Sequence, residues 1–334
     1  MYLWLLREEL GAVYSRCALG DHSCFDSLYL RSKVLDYWTC IRIDKGMTMI
    51  DVEQFQVRGL PGYVYKVRFA DRIVDYWAPA NPGSHLLIAH DGQNILDKRN
   101  IGINPHQRAT WKLAQAGIRM AERNGVTPPT VISVYHTPYS QDPLGRLKEY
   151  TPEDFMGESK NWLIESYGLY RGSVDEFIEG LSANKLLELI TGEIVPQIAA
   201  RVNHTLNPDS TALVGASMGG LASIYGVLKH PDFFNAALSF SPHWVIGGDE
   251  LAIKMAESFP SPQRHKIWMS RGTKGLDSKY EESQKVADRV IRAHGYADGK
   301  NFRTKVISDG AHSNATWARN VPEAIDFWMK AGEK

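Results

Sequence analysis

From Val52 onward the chain alternates short apolar runs with longer amphipathic segments. Two runs, VYKVRFA and RIVDYWAPA, place apolar residues at every second position on either side of Asp71, which predicts an antiparallel pair of strands. Two later runs, HLLIAHDG and TVISVYHTP, are almost continuously apolar, as in strands buried on both faces of a sheet. Four more strand-like runs follow: TALVGAS, AALSFSP, KIWMSRGT and FRTKVISDG. The segments between them have helical spacing: HQRATWKLAQAGIRMAER, SANKLLELITGEIVPQIAARV, MGGLASIYGVLKH, DELAIKMAES, EESQKVADRVIRAHG and VPEAIDFWMKAG. This alternation predicts an α/β fold, with a mostly parallel sheet covered by helices on both faces and antiparallel strands at its N-terminal edge.

The first 46 residues differ from the rest of the chain. They hold all three cysteines, Cys17, Cys24 and Cys40, and show no clean strand alternation. Residues 1–46 are therefore expected to be a dispensable or over-extended start, or else a helical cap, because LREELGAVYS and SLYLRSKVLDYW have helix-like spacing. No internal repeat or low-complexity linker follows, so residues 47–334 are expected to form a single α/β domain.

Composition and charge narrow the class of partner. The chain has 38 basic and 38 acidic residues and no long basic run, so neither nucleic acid nor an anionic membrane is an expected partner. An odd, clustered set of cysteines without a CxxC pair argues against a disulfide framework and against a zinc site. No run reaches the roughly 18 apolar residues that a membrane helix needs, and MYLWLL lacks the features of a secretory signal. We therefore expect a cytoplasmic protein.

A long segment at about 136–175 breaks the alternation. It contains aromatic, Gly and Pro residues but little periodicity. Loops much longer than about 15 residues inside a compact domain are usually functional, and this one follows the carboxyl end of a strand, where open α/β sheets bind ligands. We expect either a loop or lid over a ligand site, or a surface excursion whose aromatic residues pack on the body.

The sequence GASMG, residues 215–219, has the G-x-S-x-G spacing of the strand-to-helix turn that carries the nucleophile in α/β hydrolases. There, Ser217 adopts a strained backbone conformation, and glycines two positions away on either side let strand and helix pass closely. The spacing alone is weak, since roughly one chain in ten of this length would contain it by chance. The strand-like LVG before it and the helix-like LASIYGVLKH after it supply the context that the motif needs. We predict that Ser217 is a nucleophile rather than a small residue in a packing turn.

A serine attacks efficiently only when a base takes its proton and an acid holds the base. In this fold the acid and then the histidine follow the serine along the chain. Among the histidines after Ser217, His312 is best placed, in the small-residue loop DGAHSNATW between the last strand and the last helix. The others are expected in the pocket lining (His243), at the end of a helix (His230) and at the surface (His265 and His294).

The acid is predicted in the loop that ends KIWMSRGTKGLD. Asp277 lies there, after a strand whose neighbour delivers His312. Its competitors Glu281 and Glu282 begin a helix, where acids favour the N-terminal dipole in any case. Asp309 is a poorer choice because it lies only three residues before His312 on the same loop.

An attacked carbonyl develops negative charge and needs preorganised donors. The backbone N–H of Met218, at the start of the helix after the serine, is one expected donor. The other is expected in HDGQN, residues 90–94, where Gly92 lets the N–H of Gln93 be exposed. The alternative for HDGQN is a plain Asp-Gly turn.

Several stretches together resemble the "putative esterase" branch of the α/β hydrolases, a group of enterochelin-esterase-like, feruloyl-esterase-like and esterase-D-like proteins. In order, from about residue 60 to the C-terminus, they are HLLIAHDGQNILD, RLKEYTPED, LVGASMGGLAS, ALSFSPHW, GTKGLDSKY, GYADGKNF and DGAHSNATW. The resemblance implies an α/β-hydrolase fold with Ser217 as nucleophile, Asp277 as acid and His312 as base. It also implies Gln93 and Met218 as oxyanion donors. Members act on siderophore esters, feruloyl or acetyl sugars and S-formylglutathione, and some transfer acyl groups, so the resemblance does not select a substrate.

The sequence therefore predicts a serine carboxylesterase that cleaves a small-molecule ester or thioester of a small acyl or aryl-acyl group through an acyl-enzyme, without cofactor or metal. An acyltransferase on the same triad and a hydrolase-fold binding protein are the alternatives. A metal-dependent hydrolase using His90, Asp91 and His312 is disfavoured, because no HExxH-like ligand spacing is present.

Two residues are candidate substrate contacts. Trp244 lies just beyond the strand in SFSPHW, and Arg146 lies in the long segment. Arg146 either binds an acidic group of the substrate or pairs locally with Glu149. Tyr139 and Trp162 are weaker candidates, because aromatic residues in loops are often packing residues.

Overall fold

The structure is a computed structural model that describes residues 48–100, 110–156 and 174–330. The extension expected over residues 1–46 lies outside these residues, as does the middle of the long segment, from 157 to 173. Within the described part, none of the helices combines the length and the apolar character needed to cross a bilayer.

A nine-stranded mixed sheet forms the centre of the described part, in the order β1-β2-β3-β5-β4-β6-β7-β8-β9. Its strands are β1 (Met49–Phe55), β2 (Val64–Phe69), β3 (Arg72–Trp77), β4 (Leu86–Ala89), β5 (Thr130–Val134), β6 (Thr211–Ala216), β7 (Ala236–Phe240), β8 (Lys266–Lys274) and β9 (Phe302–Ala311). The pairings from β1 to β5 through β2 and β3 are antiparallel, and the remaining pairings are parallel. The predicted mostly parallel sheet with an antiparallel N-terminal edge is confirmed.

Helices cover both faces of this sheet. They are α1 (Leu113–Asn124), α2 (Gly145–Tyr150), α3 (Val174–Glu179), α4 (Ala183–Leu189), α5 (Val195–Arg201), α6 (Met218–Lys229), α7 (Gly248–Glu257), α8 (Glu281–Ala293) and α9 (Asn314–Met329). Helices α1 and α9 bury their apolar sides with Ala212 and Val214 of β6, while Leu213 between them packs in a second core with α4 and α6. Successive side chains of a strand point to opposite faces, so this strand needs apolar residues throughout. The continuous apolar run TALVGA is the consequence.

Three elements differ from the expectation. Strand β1 was not predicted, because five of its seven residues are exposed on an edge strand and carry no apolar alternation. Helix α9 begins at Asn314, seven residues before the predicted VPEAIDFWMKAG, and contains Pro322 in its interior. A proline usually marks the first turn of a helix, which is why the sequence suggested a later start. The predicted helix over residues 182–202 is interrupted by a π-helical turn, Ile190–Ile194, between α4 and α5.

The carboxyl ends of the parallel strands lie along one edge of the sheet and carry the candidate site. The loop after β4 contains Gln93, Ser217 directly follows β6, and His312 directly follows β9. Asp277 lies in a short 3-10 helix after β8. Open α/β sheets bind their ligands at this edge, and the strand order makes β4 and β6 neighbours.

Candidate active site

Ser217 lies in a strained turn between β6 and α6. Its backbone angles, φ 57° and ψ −126°, are in a region that residues other than glycine rarely adopt. The main chain holds the turn on both sides, because Ser217 N–H donates to Phe240 O at 2.9 Å and its carbonyl accepts from His243 N at 3.2 Å. A Cβ on Gly215 would lie 2.2 Å from Gly219 O, so strand and helix pass too closely for any side chain there. This is the geometry that the G-x-S-x-G spacing predicts.

The structure brings His312 and Asp277 together. His312 Nδ1 lies 2.5 Å from Asp277 Oδ1, and Asp277 is fully buried. Its other oxygen accepts from Ser241 Oγ and from the Gly272 N–H, both at 2.7 Å. Burial raises the pKa of Asp277, but the hydrogen bond and charge of His312, with these two donors, outweigh it and hold the pKa below its ordinary value. The carboxylate is therefore ionised at neutral pH, and it assigns the Nδ1 proton to His312, which leaves Nε2 as the nitrogen that can accept a proton.

Aromatic rings fix the plane of the His312 imidazole. Trp317 meets it edge-on at 4.9 Å between ring centroids, and Tyr280 meets it at 5.8 Å. The indole N–H of Trp317 also donates to Ser241 Oγ at 3.0 Å, and Ser241 in turn donates to Asp277. Sequence reasoning did not single out Ser241 or Tyr280 as parts of the site. The position of Ser241 directly after a buried strand was the available signal, because its side chain then points along the same edge as Ser217.

The loop after β4 makes a left-handed turn followed by one turn of 3-10 helix. Asp91 has φ 54° and ψ 46°, and the 3-10 turn spans Gly92–Asn94. A Cβ on Gly92 would lie 2.5 Å from the backbone of Ser133 in β5, so only glycine fits. Met218 is the first residue of α6, and the first N–H groups of a helix have no partner within it. Gln93 and Met218 thus follow adjacent parallel strands, and their role as oxyanion donors stays a prediction.

A family profile agrees with this arrangement. The profile of the family described as Putative esterase matches residues 157–327, just over half of the 334 residues. The chain belongs to this esterase family. The predicted resemblance is confirmed.

One curated protein is similar to this chain over about half of its length. The chain is 28% identical over 163 residues to the uncharacterized protein YbbA from Bacillus subtilis (strain 168), which covers 48% of this chain and 58% of that protein. The chain thus spans less than two thirds of the length of this curated relative.

Among solved structures, the BES protein from Bacillus cereus is similar with a TM-score of 0.56 and 15% identity over 84% of this chain and all of that one. An enterobactin esterase from Shigella flexneri matches with a TM-score of 0.52 and 13% identity, over 84% of this chain and 59% of that one. A ferulic acid esterase matches with a TM-score of 0.50 and 11% identity, over 84% of this chain and 97% of that one. At these identities the likeness shows the fold, and it confirms the expected α/β-hydrolase fold.

The predicted local partner of Arg146 was wrong. In the esterase-family chain Arg146 does not pair with Glu149; its guanidinium donates to both oxygens of Asp91, at 2.6 and 2.8 Å. Glu149 is held instead by Arg72 from β3 and by the Thr137 N–H at 3.0 Å. The reason is tertiary: α2 lies against the turn at Asp91, 55 residues earlier in the chain, and presents Arg146 to it.

The position of Trp244 does not fit a substrate contact. Its side chain has no exposed surface, and its indole N–H donates to Gln284 Oε1 at 3.0 Å inside the core. The chain turns into a short 3-10 helix at Trp244, which carries the ring inward instead of along the edge. Of the weaker candidates, Tyr139 is 59% exposed and Trp162 lies outside the described residues.

Two other histidines considered from the sequence, His243 and His265, lie in different surroundings. His243 is half-buried beside the site, where Nδ1 lies 2.6 Å from the Tyr280 hydroxyl. Burial, aided by the nearby His312 and Arg146, lowers the pKa of His243 to about 3, so this imidazole stays neutral. His265 was expected at the surface but is buried, with its ring nitrogens against the carbonyls of Ser261 and Pro231.

The residues of the metal alternative do not come together as a ligand set within the described part of the chain. Both oxygens of Asp91 accept from Arg146, and His90 is buried against the Tyr150 ring at 5.0 Å. Within the described ranges, no group of three or more His, Cys, Asp or Glu residues is arranged to hold a metal ion.

Proposed function

We propose that this protein is a serine carboxylesterase that cleaves a small-molecule ester or thioester through an acyl-enzyme. The observation that carries the proposal is the pairing of His312 with the buried Asp277, at the same sheet edge as the strained turn that bears Ser217. Membership of the esterase family supports the same reaction class.

In the proposed reaction Ser217 Oγ attacks the ester carbonyl while His312 Nε2 takes its proton. Asp277 holds the ring through the Nδ1 proton and stabilises the imidazolium that forms. The N–H groups of Gln93 and Met218 stabilise the negative charge on the carbonyl oxygen. The imidazolium then protonates the leaving alcohol. Water, deprotonated by His312, attacks the acyl-enzyme and releases the acid.

A first experiment tests the nucleophile. Ser217→Ala is expected to lower turnover of p-nitrophenyl acetate by several orders of magnitude, because loss of a triad member removes the covalent route. Ser258→Ala is the matched control, since that hydroxyl donates to the Lys254 carbonyl far along α7 and should leave turnover unchanged. Turnover by Ser217→Ala close to that of the unsubstituted protein would contradict the proposal.

The substrate and the acceptor need a second experiment. A panel of p-nitrophenyl esters of rising chain length, with a feruloyl ester and enterobactin, compares the small acyl class with the substrates in the names of the structural neighbours. Adding an alcohol separates hydrolysis from acyl transfer, because an acyltransferase forms the new ester in preference to the free acid. Failure of Ser217 to react with a fluorophosphonate, together with no turnover of any ester, would favour a binding protein.

A further inference from the structure

The turn that begins the oxyanion loop is held by a helix from elsewhere in the chain. Asp91 has φ 54° and ψ 46°, a left-handed conformation that residues with a side chain adopt uncommonly, although aspartate tolerates it better than most. Arg146 donates Nε to Asp91 Oδ1 at 2.6 Å and Nη2 to Oδ2 at 2.8 Å. Tyr150, one turn further along α2, accepts the Asp91 N–H at 2.9 Å. Residues four apart lie on one side of a helix, so Arg146 and Tyr150 of α2 hydrogen-bond to the side chain and the main chain of Asp91, respectively.

The carboxylate of Asp91 also lies against the first turn of α6, the helix that follows Ser217. A Cβ on Gly219, two residues after Ser217, would be 2.9 Å from Asp91 Oδ2. Asp91 is only 6% exposed, so water screens its charge poorly. Burial raises the pKa of Asp91, but the charge and hydrogen bonds of Arg146 outweigh burial and keep the pKa below its ordinary value. A negative charge is therefore fixed against the first turn of α6, the turn that begins with Met218.

We propose that Arg146 is a positioning residue for the reaction. Through its ion pair with Asp91 it holds the turn that presents the Gln93 N–H, and it cancels the Asp91 charge that would otherwise repel the oxyanion. This inference rests on the proposed esterase function. It assigns Arg146 to the loop of the enzyme and not to an acidic group of the substrate.

The test uses the full chain and a neutral substrate, p-nitrophenyl acetate, so that a contact with a substrate carboxylate cannot contribute. Arg146→Gln is expected to lower kcat by about 100-fold, because the donor is displaced and the carboxylate is left uncompensated. KM is expected to change by less than about 3-fold, because the interaction matters mainly in the transition state. Arg146→Lys restores the charge without the paired hydrogen bonds and should recover part of the loss.

The decisive variant is the double substitution Asp91→Asn with Arg146→Gln. Removing both charges leaves no carboxylate beside the oxyanion, so its kcat should exceed that of Arg146→Gln alone by several-fold. The free energy of unfolding in urea is measured for both variants, because a purely structural recovery would raise stability and kcat together, whereas the inference requires kcat to recover at unchanged stability. Arg72→Gln is the matched control, because Arg72 pairs with Glu149 in the same helix without touching Asp91; it is expected to lower stability and keep kcat.

An unchanged kcat for Arg146→Gln overturns the inference, and so does a double variant no faster than Arg146→Gln. A rise in KM confined to carboxylate-bearing esters also overturns it, in favour of a substrate contact. If Arg146→Gln fails to fold, Arg146→Lys carries the test: the inference requires a lower kcat with little change in KM, and an unchanged kcat overturns it. Failure of the proposed function is distinguishable, because then Ser217→Ala turns over ester as fast as the unsubstituted protein.

Discussion

At the scale of single residues, the candidate site contains two residues with unusual backbone angles, Ser217 and Asp91, and two buried carboxylates, Asp91 and Asp277. Ser217 and Asp91 both have positive φ, and each is fixed by main-chain hydrogen bonds to a distant segment. Backbone strain of this kind costs on the order of 1–3 kcal/mol at each position and persists only where the surroundings over-determine it. The sequence predicted the strain at Ser217 because the flanking glycines mark it. It contained no such mark for Asp91.

Asp75 is a buried carboxyl outside the site whose ionisation should be visible in stability. It is fully buried in β3, accepts from the Tyr135 hydroxyl at 2.7 Å, and has Lys66 Nζ 3.9 Å from its other oxygen. Burial raises its pKa from 3.8 to about 7, although Lys66 and Tyr135 act in the opposite direction. The folded state thus keeps a proton that the unfolded chain releases. Its stabilising contribution is complete below about pH 4 and is lost as the pH rises to about 7.

Asp75→Asn is expected to remove this decline, since an amide is uncharged throughout the range. The free energy of unfolding, measured in urea at several pH values between about 4 and 8, should fall less with pH than in the unsubstituted protein. Asp71→Asn, at the exposed turn between β2 and β3, is the control and should keep the original slope. The same slope in Asp75→Asn would contradict the raised pKa.

At the scale of elements, the loop after β4, residues 90–94, is positioned by its contact with β5. The sequence HDGQN was compatible with two interpretations, a loop that presents the Gln93 N–H to the oxyanion and a plain Asp-Gly turn. The path of the loop is set by Gly92, which lies against the backbone of Ser133, a strand away in the sheet. No local pattern records that contact, because it joins residues far apart in the chain. The same reason explains why the partner of Arg146 could not be predicted.

Gly92→Ala tests this contact. The added Cβ would come within 2.5 Å of the Ser133 backbone, which cannot move without disturbing β5, so the loop should shift instead. We expect kcat on p-nitrophenyl acetate to fall by about 100-fold through displacement of the Gln93 N–H. Gly192→Ala is the control, because nothing lies within 4 Å of its added Cβ. Equal kcat for the two variants would show that Gly92 does not position the loop.

At the scale of the whole molecule, the order of strands assembles the site. Ser217, Asp277 and His312 follow β6, β8 and β9. Strand β4, whose loop contains Gln93, lies between β5 and β6 in the sheet. All nine strands of the described sheet lie between Met49 and Ala311. The described strands and the candidate site residues thus all lie in the part of the chain after residue 48.

A chain beginning at Met47 is accordingly expected to fold and to turn over p-nitrophenyl acetate with an unchanged kcat. Circular dichroism and the esterase assay on the shortened and full chains measure this directly. Aggregation or loss of turnover in the shortened chain would instead assign residues 1–46 to the core as a helical cap.

The sequence by itself determined the alternation of strands and helices and the strained turn at Ser217, and it predicted Ser217, Asp277 and His312, in that order, as nucleophile, acid and base. These follow from local rules: apolar periodicity, the glycines that a close strand-to-helix passage needs, and the placement of polar loops after buried strands. Only the tertiary structure decided that Arg146 holds Asp91, that Ser241 supports Asp277, and that Trp244 turns into the core. Charge pairing and burial depend on which distant segments the sheet brings together, and that proximity is a property of the fold, not of any stretch of sequence.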